Sequence, residues 1–215
     1  MQILICAATS LEIDSTIRSL ALSGKHSVEV LIAGVGLPST IYHLTRSLQK
    51  KTPDLIIQAG IAGALDQSLN LGEVVFVQSD FFGDLGVMEG QGFRDLFDLS
   101  FVGADEFPWK SKRLPAPVIA ALRELSYKWL DSVTVNEITT SSARLQHYRS
   151  LEAGLESMEG AGLHFVGLQE GLPFLQIRSI SNYAGVRDKS QWTIQAAITN
   201  LNNALSTVLE KLDSL

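Results

Sequence analysis

Short continuous apolar runs alternate along this chain with segments whose apolar residues recur every three or four positions. The runs are QILICAA (2–8), SVEVLIAG (27–34), PDLIIQAG (53–60), GEVVFVQS (72–79), SVTVNEI (132–138) and PFLQIRSIS (173–181), and each predicts a buried strand. Helices are predicted between and after them, over about 11–22, 38–50, 115–129, 142–149 and 158–170, with a last one from Ser190 to about Leu212. In that last segment Ile194, Ile198, Leu201, Leu205, Val208 and Leu212 fall on one apolar stripe. Thr9 or Ser10 supplies a cap for the first helix, and Pro38 stands where the second would begin. Residues 80–114 are rich in Gly, Phe and Asp, lack a clear period, and read as a long functional loop or lid. Strands alternating with amphipathic helices predict the α/β class: one domain over 1–215, three layers, and a central mixed, largely parallel sheet. Ligands of such sheets bind beyond the carboxyl ends of the strands, so residues just past strands carry the search for chemistry.

Composition narrows the function classes. Of the 215 residues 46% are hydrophobic and 19% charged, which is a compact chain with a sizeable core. The net charge of −6 argues against nucleic acid as a partner, since phosphate binding needs clustered Lys and Arg, and the pairs Lys50–Lys51 and Lys110…Arg113 are too short for a stripe. No run reaches the length that spans a membrane, and no basic region precedes the first apolar run as in a signal peptide. The one cysteine, Cys6, lies in the first strand and reads as a small hydrophobe. A cytoplasmic, reducing location is expected.

Five stretches could carry chemistry. Glu12 comes after the first strand in AATSLEIDS, where a first-turn acid also suits a helix dipole. GVGLPS (34–39) comes after the second strand; it resembles a dinucleotide fingerprint, but no acid ends the next strand to hold a ribose. GIAGAL (60–65) comes after the third, with Gly60 and Gly63 able to bring backbone close to a flat ligand or simply to make a tight turn. ESMEGAGLHF (156–165) puts Glu156 and Glu159 at i and i+3, on one face of a helix start, ahead of a run that packs into a core. RSISNYAG (178–185) ends the last strand in polar residues, as a site or a turn.

Taken in order, these stretches resemble the purine nucleoside phosphorylase/nucleosidase superfamily over nearly the whole chain. The elements are an acid after strand one, G-x-G after strand two, G-x-A-G after strand three, M-E at a late helix start and R-x-I-S-N on the last strand. LGEVVFVQSD (71–80) also fits, and within the methylthioadenosine/S-adenosylhomocysteine nucleosidase branch FFGDLGVM (81–88), TVNEITTSS (134–142), ESMEGAG and RSISNYAGVRDKSQW (178–192) most resemble the futalosine hydrolases. That resemblance implies release of hypoxanthine from futalosine in an alternative menaquinone route, no cofactor, no metal, a small-molecule nucleoside as partner, and a homodimer.

The resemblance also implies roles. Glu159 accepts from the ribose 2′- and 3′-hydroxyls, Met158 packs on the sugar, Glu12 takes a proton from the attacking water, and Arg178 holds that water and balances the two acids. Backbone at Gly36, Ala62 and Gly63 approaches the substrate, and Ile138 and Thr139 flank the base. Asn182 stands where the adenine-releasing nucleosidases carry Asp. Its amide offers an NH2 to a 6-oxo group and an oxygen to N7–H, which fits hypoxanthine better than adenine. Ile61 replaces the Ser of their GSAG. Asp84 and Arg187 are candidates for the distal end of the substrate, where a carboxylate would suit Arg187, Lys189 or Arg94. The competing readings are an adenine-releasing nucleosidase of methylthioadenosine, S-adenosylhomocysteine or aminodeoxyfutalosine, a phosphorylase, and a non-catalytic nucleoside sensor. The phosphorylases of this superfamily carry a cationic Gly-rich loop after strand one, whereas here no Arg occurs before Arg18.

Overall fold

The computed structural model describes residues 1–20, 25–90 and 92–214. The elements run β1 (Gln2–Ala7), α1 (Ser10–Leu20), β2 (Ser27–Ile32), α2 (Leu37–Leu48), β3 (Leu55–Ala64) and β4 (Val74–Phe82). They continue with a hairpin, β5 (Gly86–Glu89) and β6 (Gly92–Asp95), then β7 (Leu114–Pro115), α3 (Ala120–Arg123) and β8 (Lys128–Thr134). The chain closes with α4 (Ser142–Ser150), β9 (Leu155–Ser157), α5 (Gly160–Gln169), β10 (Phe174–Tyr183), a 3-10 turn at Lys189–Gln191, and α6 (Ile194–Asp213).

The strands are apolar on both faces because helices cover both. Successive side chains of a strand point to opposite sides. From β1, Ile3 and Ile5 join Ile57, Leu175 and Ile177 in a core closed by Leu201, Leu205 and Val208 of α6, the stripe read in the sequence. Leu4 and Ile56 face the other way, onto Leu44 of α2 and Leu163 and Val166 of α5. The result is the three-layer α/β arrangement expected.

The sheet is mixed and curls on itself. β2–β1–β3–β10 are joined by parallel pairings. β10 then meets β4 antiparallel, β4 meets β8 and β8 meets β9 in parallel, and β9 returns to β3 antiparallel. The β3–β10–β4–β8–β9 segment is therefore a closed ring, and β3 sits in it between β9 and β10.

Several boundaries differ from those expected. The helix over 115–129 shrinks to the four residues of α3, and the strand expected at 132–138 lies at Lys128–Thr134 instead. Aromatic packing decides this: the Phe76 ring takes Tyr127 at 4.6 Å and Trp129 at 5.2 Å between centroids, which fixes 127–130 as extended chain beside β4. The aperiodic 80–114 region is partly strand, since β4 reaches Phe82 and the β5–β6 hairpin comes next. Lys112, bonded to Asp95 and Asp98, pins the loop beyond. Gly60–Ala64 continues β3 and is not a turn. The predicted end of the first helix, 21–22, lies outside the described residues.

Candidate active site

The parallel strands β1, β3 and β10 end on the same side of the ring, and the short β9 runs beside the end of β3. Residues at or just past these strands line one cleft of about 350 Å³. Glu12 from α1, Ala62 and Gly63 from β3, Ile138, Met158, Glu159, Asn182 and Arg187 all reach it. Sequence-distant residues meet there because the parallel strands bring their carboxyl ends together.

Glu12 is buried, with both carboxylate oxygens held. Oε2 accepts from Thr9 N–H at 3.0 Å and from the Thr9 hydroxyl at 3.1 Å, and Oε1 accepts from Ile61 N–H at 3.2 Å. Arg178 is fully buried beneath. Its guanidinium donates to Gln58 Oε1 at 2.8 Å and reaches Glu159 Oε2 at 3.5 Å. Gly60 lies between these charges: a Cβ there would collide with the Arg178 guanidinium and crowd Glu12 Oε1.

Glu159 occupies the position just before α5, yet its side chain makes no capping bond. Its Oε1 instead accepts from Gly36 N–H at 3.0 Å. Gly36 has φ +89°, which only glycine adopts without strain, and that conformation begins α2 while turning its N–H to the acid. Gly36 thus supports Glu159 and is not among the residues of the cleft wall.

Glu156 and Glu159 do not share a helix face. Leu155–Ser157 is a strand, and α5 starts only at Gly160. In the sheet register Gly63 is paired on one side with Glu156 and on the other with Asn182. Registered residues point to the same face, so a residue without a side chain is flanked by an acid and an amide across a gap suited to a flat ring. Glu156 Oε1 accepts from Thr139 N–H at 3.1 Å, while the buried Oε2 has no protein partner. Burial pushes the Glu156 pKa up, and hydrogen bonding from Thr139 N–H only partly offsets it. Asn182 is held by Ser181 Oγ, which donates to its Oδ1 at 2.8 Å, and by its own bond to Tyr183 O at 3.0 Å.

Of the other candidates, Thr139 serves Glu156 and lines a neighbouring hollow rather than the cleft, and Ile138 borders both. Asp84 does not reach the cleft; it accepts from Asn136 N–H and Nδ2 and from Glu137 N–H, shaping the loop that presents Ile138. Among the cations considered for a distal carboxylate, Arg94 pairs with Glu89 at 2.9 Å, and Lys189 sits in the 3-10 turn. Arg187 lies at the cleft, its guanidinium 5.4 Å from the Trp192 ring centroid. Trp192, just after the 3-10 turn, and Ile194 and Ile198 at the start of α6 complete the wall. The sequence does not mark Glu156 as a base-facing residue, because its strand is only three residues long. Cys6 is buried, and burial pushes its thiol up to about 12, so it is no nucleophile near neutrality.

Behind α5, Asp80 is fully buried, accepting from Thr134 Oγ1 at 2.9 Å and from Phe81 N–H at 2.8 Å. Burial raises its pKa from 3.8 to about 6, and it lowers that of His164 from 6.5 to about 4. The acid's folded-state pKa exceeds its unfolded value, so its contribution to stability is largest below pH 3.8 and is lost as pH rises through about 6. Removing the charge should therefore help more at high pH. The unfolding free energy of Asp80→Asn from urea titration, relative to wild type, is expected to improve between pH 4 and 7.5 by about 3 kcal/mol at most. His164 changes stability in the opposite sense but equally in both proteins. A pH-independent difference would exclude the buried charge.

The cleft thus sets two acids and a buried arginine against a slot between Glu156 and Asn182, at the strand ends of a curled mixed sheet. The family model of the Phosphorylase superfamily matches residues 14–214, and the chain belongs to that superfamily. The futalosine hydrolase of Streptomyces coelicolor is 29% identical over 100% of this chain and 97% of its own length. That of Thermus thermophilus is 30% identical over 83% of this chain and 80% of its own. Among solved structures, a 5′-methylthioadenosine/S-adenosylhomocysteine nucleosidase from S. pneumoniae superposes with a TM-score of 0.81 over 99% of this chain and 100% of that one, at 19% identity. Among the described residues no helix is long and apolar enough to cross a membrane.

Proposed function

We propose that this chain is an N-glycosyl hydrolase that cleaves futalosine into hypoxanthine and dehypoxanthine futalosine. The observation that carries the choice of base is the pair Glu156 and Asn182 on either side of Gly63. A 6-oxopurine presents O6 as an acceptor and N1–H as a donor; adenine presents an amino group and an acceptor N1. A charged Glu156 carboxylate, turned toward the bound base, accepts from N1–H, and the Asn182 amide meets O6 and N7. Adenine would oppose two acceptors at N1 and two donors at the 6-position, each mismatch costing about 1–3 kcal/mol.

Bond cleavage places positive charge on the ribose ring and negative charge on the departing base. Glu159 accepts from the ribose hydroxyls and faces the ring cation, with Met158 against the sugar. Glu12, held in one rotamer by Thr9 and Ile61, takes a proton from the water that attacks the anomeric carbon, and that proton is passed on through solvent to the departing base anion, which leaves as neutral hypoxanthine. Arg178 sets its buried positive charge against Glu159 from below. Arg187 is the cation nearest for a distal carboxylate. Phosphorolysis is disfavoured because Thr9 N–H, the backbone donor after β1, is already engaged by Glu12.

The test is release of free base from futalosine, its 6-amino analogue, methylthioadenosine and inosine, with and without phosphate. Phosphate-independent hypoxanthine release is expected. Asn182→Asp should lower kcat/KM for the 6-oxo substrate relative to the 6-amino one by about tenfold to a hundredfold, and Glu156→Leu should act in the same direction. Unchanged ratios in both variants would leave the adenine-releasing reading in place.

A further inference from the structure

In a regular helix the Thr16 N–H donates to the Glu12 carbonyl. Here α1 is bent at Ile13, whose φ of −128° and ψ of 16° are not helical. A side chain from the far end of the sequence occupies the bend. The Asn202 Oδ1 accepts from Thr16 N–H at 2.9 Å and from the Thr16 hydroxyl at 2.6 Å. Its Nδ2 donates to the Glu12 carbonyl at 2.8 Å and to Ile198 O at 2.7 Å.

An amide has two N–H donors and two main acceptor directions, and all four are used. The bonds fix which atom is oxygen, since Oδ1 meets only donors and Nδ2 only carbonyls. Asn202 is buried and lines no part of the cleft. Aspartate in its place could not donate to the two carbonyls, and serine could not span them. The residue gripped on its main chain is the one whose carboxylate enters the cleft, and Ile198, gripped by the same amide, lines the cleft as well.

We propose that Asn202 is a positioning residue for Glu12. It replaces a turn of helical hydrogen bonding with a side-chain bridge, holds the bend at Ile13, and so aims the Glu12 carboxylate at Gly60 and the water site. This rests on Glu12 being the general base. The base-binding end of the cleft lies on other strands and is untouched, so loss of the bridge alters turnover and not recognition. A displacement on the order of 1 Å at a reacting group costs roughly a hundredfold.

The experiment is a double-mutant cycle on the full chain with futalosine, using Glu12→Gln, Asn202→Asp and the pair, with hypoxanthine binding measured by titration. Asn202→Asp is isosteric; Thr16→Val, which removes only the hydroxyl bond, is the milder variant should the first not fold. Asn202→Asp is expected to lower kcat about 10- to 100-fold with KM and hypoxanthine affinity within about threefold, and to add no further loss in the Glu12→Gln background. Thr16→Val should show a smaller loss with the same split. Losses that multiply in the double variant, or that fall on KM and base affinity alike, would overturn the proposal. A near-normal kcat in Glu12→Gln alone would instead overturn the base assignment, so the two failures are separable.

Discussion

Glu12→Gln is expected to lose turnover by about 10²–10⁴-fold while binding futalosine within a few-fold of wild type. The carboxylate accepts from Thr9 N–H, the Thr9 hydroxyl and Ile61 N–H. An amide in its place retains one accepting oxygen but turns its NH2 toward donors, and it cannot take a proton from water. In the proposed binding mode the ground-state contacts to ribose and base come from Glu159, Glu156 and Asn182, so KM should move little, the pattern of an interaction made only in the transition state. Single-turnover rates with binding measured separately give the answer. A variant that retains wild-type kcat would remove Glu12 from the chemistry.

Glu159→Gln should damage binding and rate together, with kcat/KM down about 10²–10³-fold. In the wild type one oxygen accepts from Gly36 N–H, and the other faces the buried Arg178 guanidinium. If the amide oxygen keeps the Gly36 bond, its NH2 is turned on the arginine, donor against donor. The ribose hydroxyls lose a charged acceptor, and Arg178 loses its counter-charge in a site where water cannot replace it. The measurement is kcat and KM for futalosine beside the melting temperature. A change confined to melting would mean that Glu159 only begins α5.

The pattern of apolar runs made the layers legible, because strands covered by helices on both faces must be apolar throughout. Glu12, Met158, Glu159 and Asn182 were legible as candidates for one cleft, each lying at or just past the end of a strand or at a helix start in a familiar order. Three features were not. The strand at Lys128–Thr134 competes with a helical reading of its own residues and is settled by its pairing with β4 and β9 and by Phe76, a residue from another strand. Glu156 reads as a helix-start acid until pairing with Gly63 shows it on a strand. Asn202 looks like an ordinary polar residue in an amphipathic helix, and its partners lie near the other end of the chain. In all three the missing information was a long-range pairing, which local periodicity does not carry.

Gly60 sits mid-strand in the closed ring, where branched side chains would ordinarily be favoured and glycine weakens pairing. The space its side chain would fill belongs to the Arg178 guanidinium and the Glu12 carboxylate. Thermostability and catalysis therefore make opposite demands on this one position. A search for more heat-resistant variants guided by strand preference would be drawn to it, and any gain there would come from closing the gap in which the two charges meet.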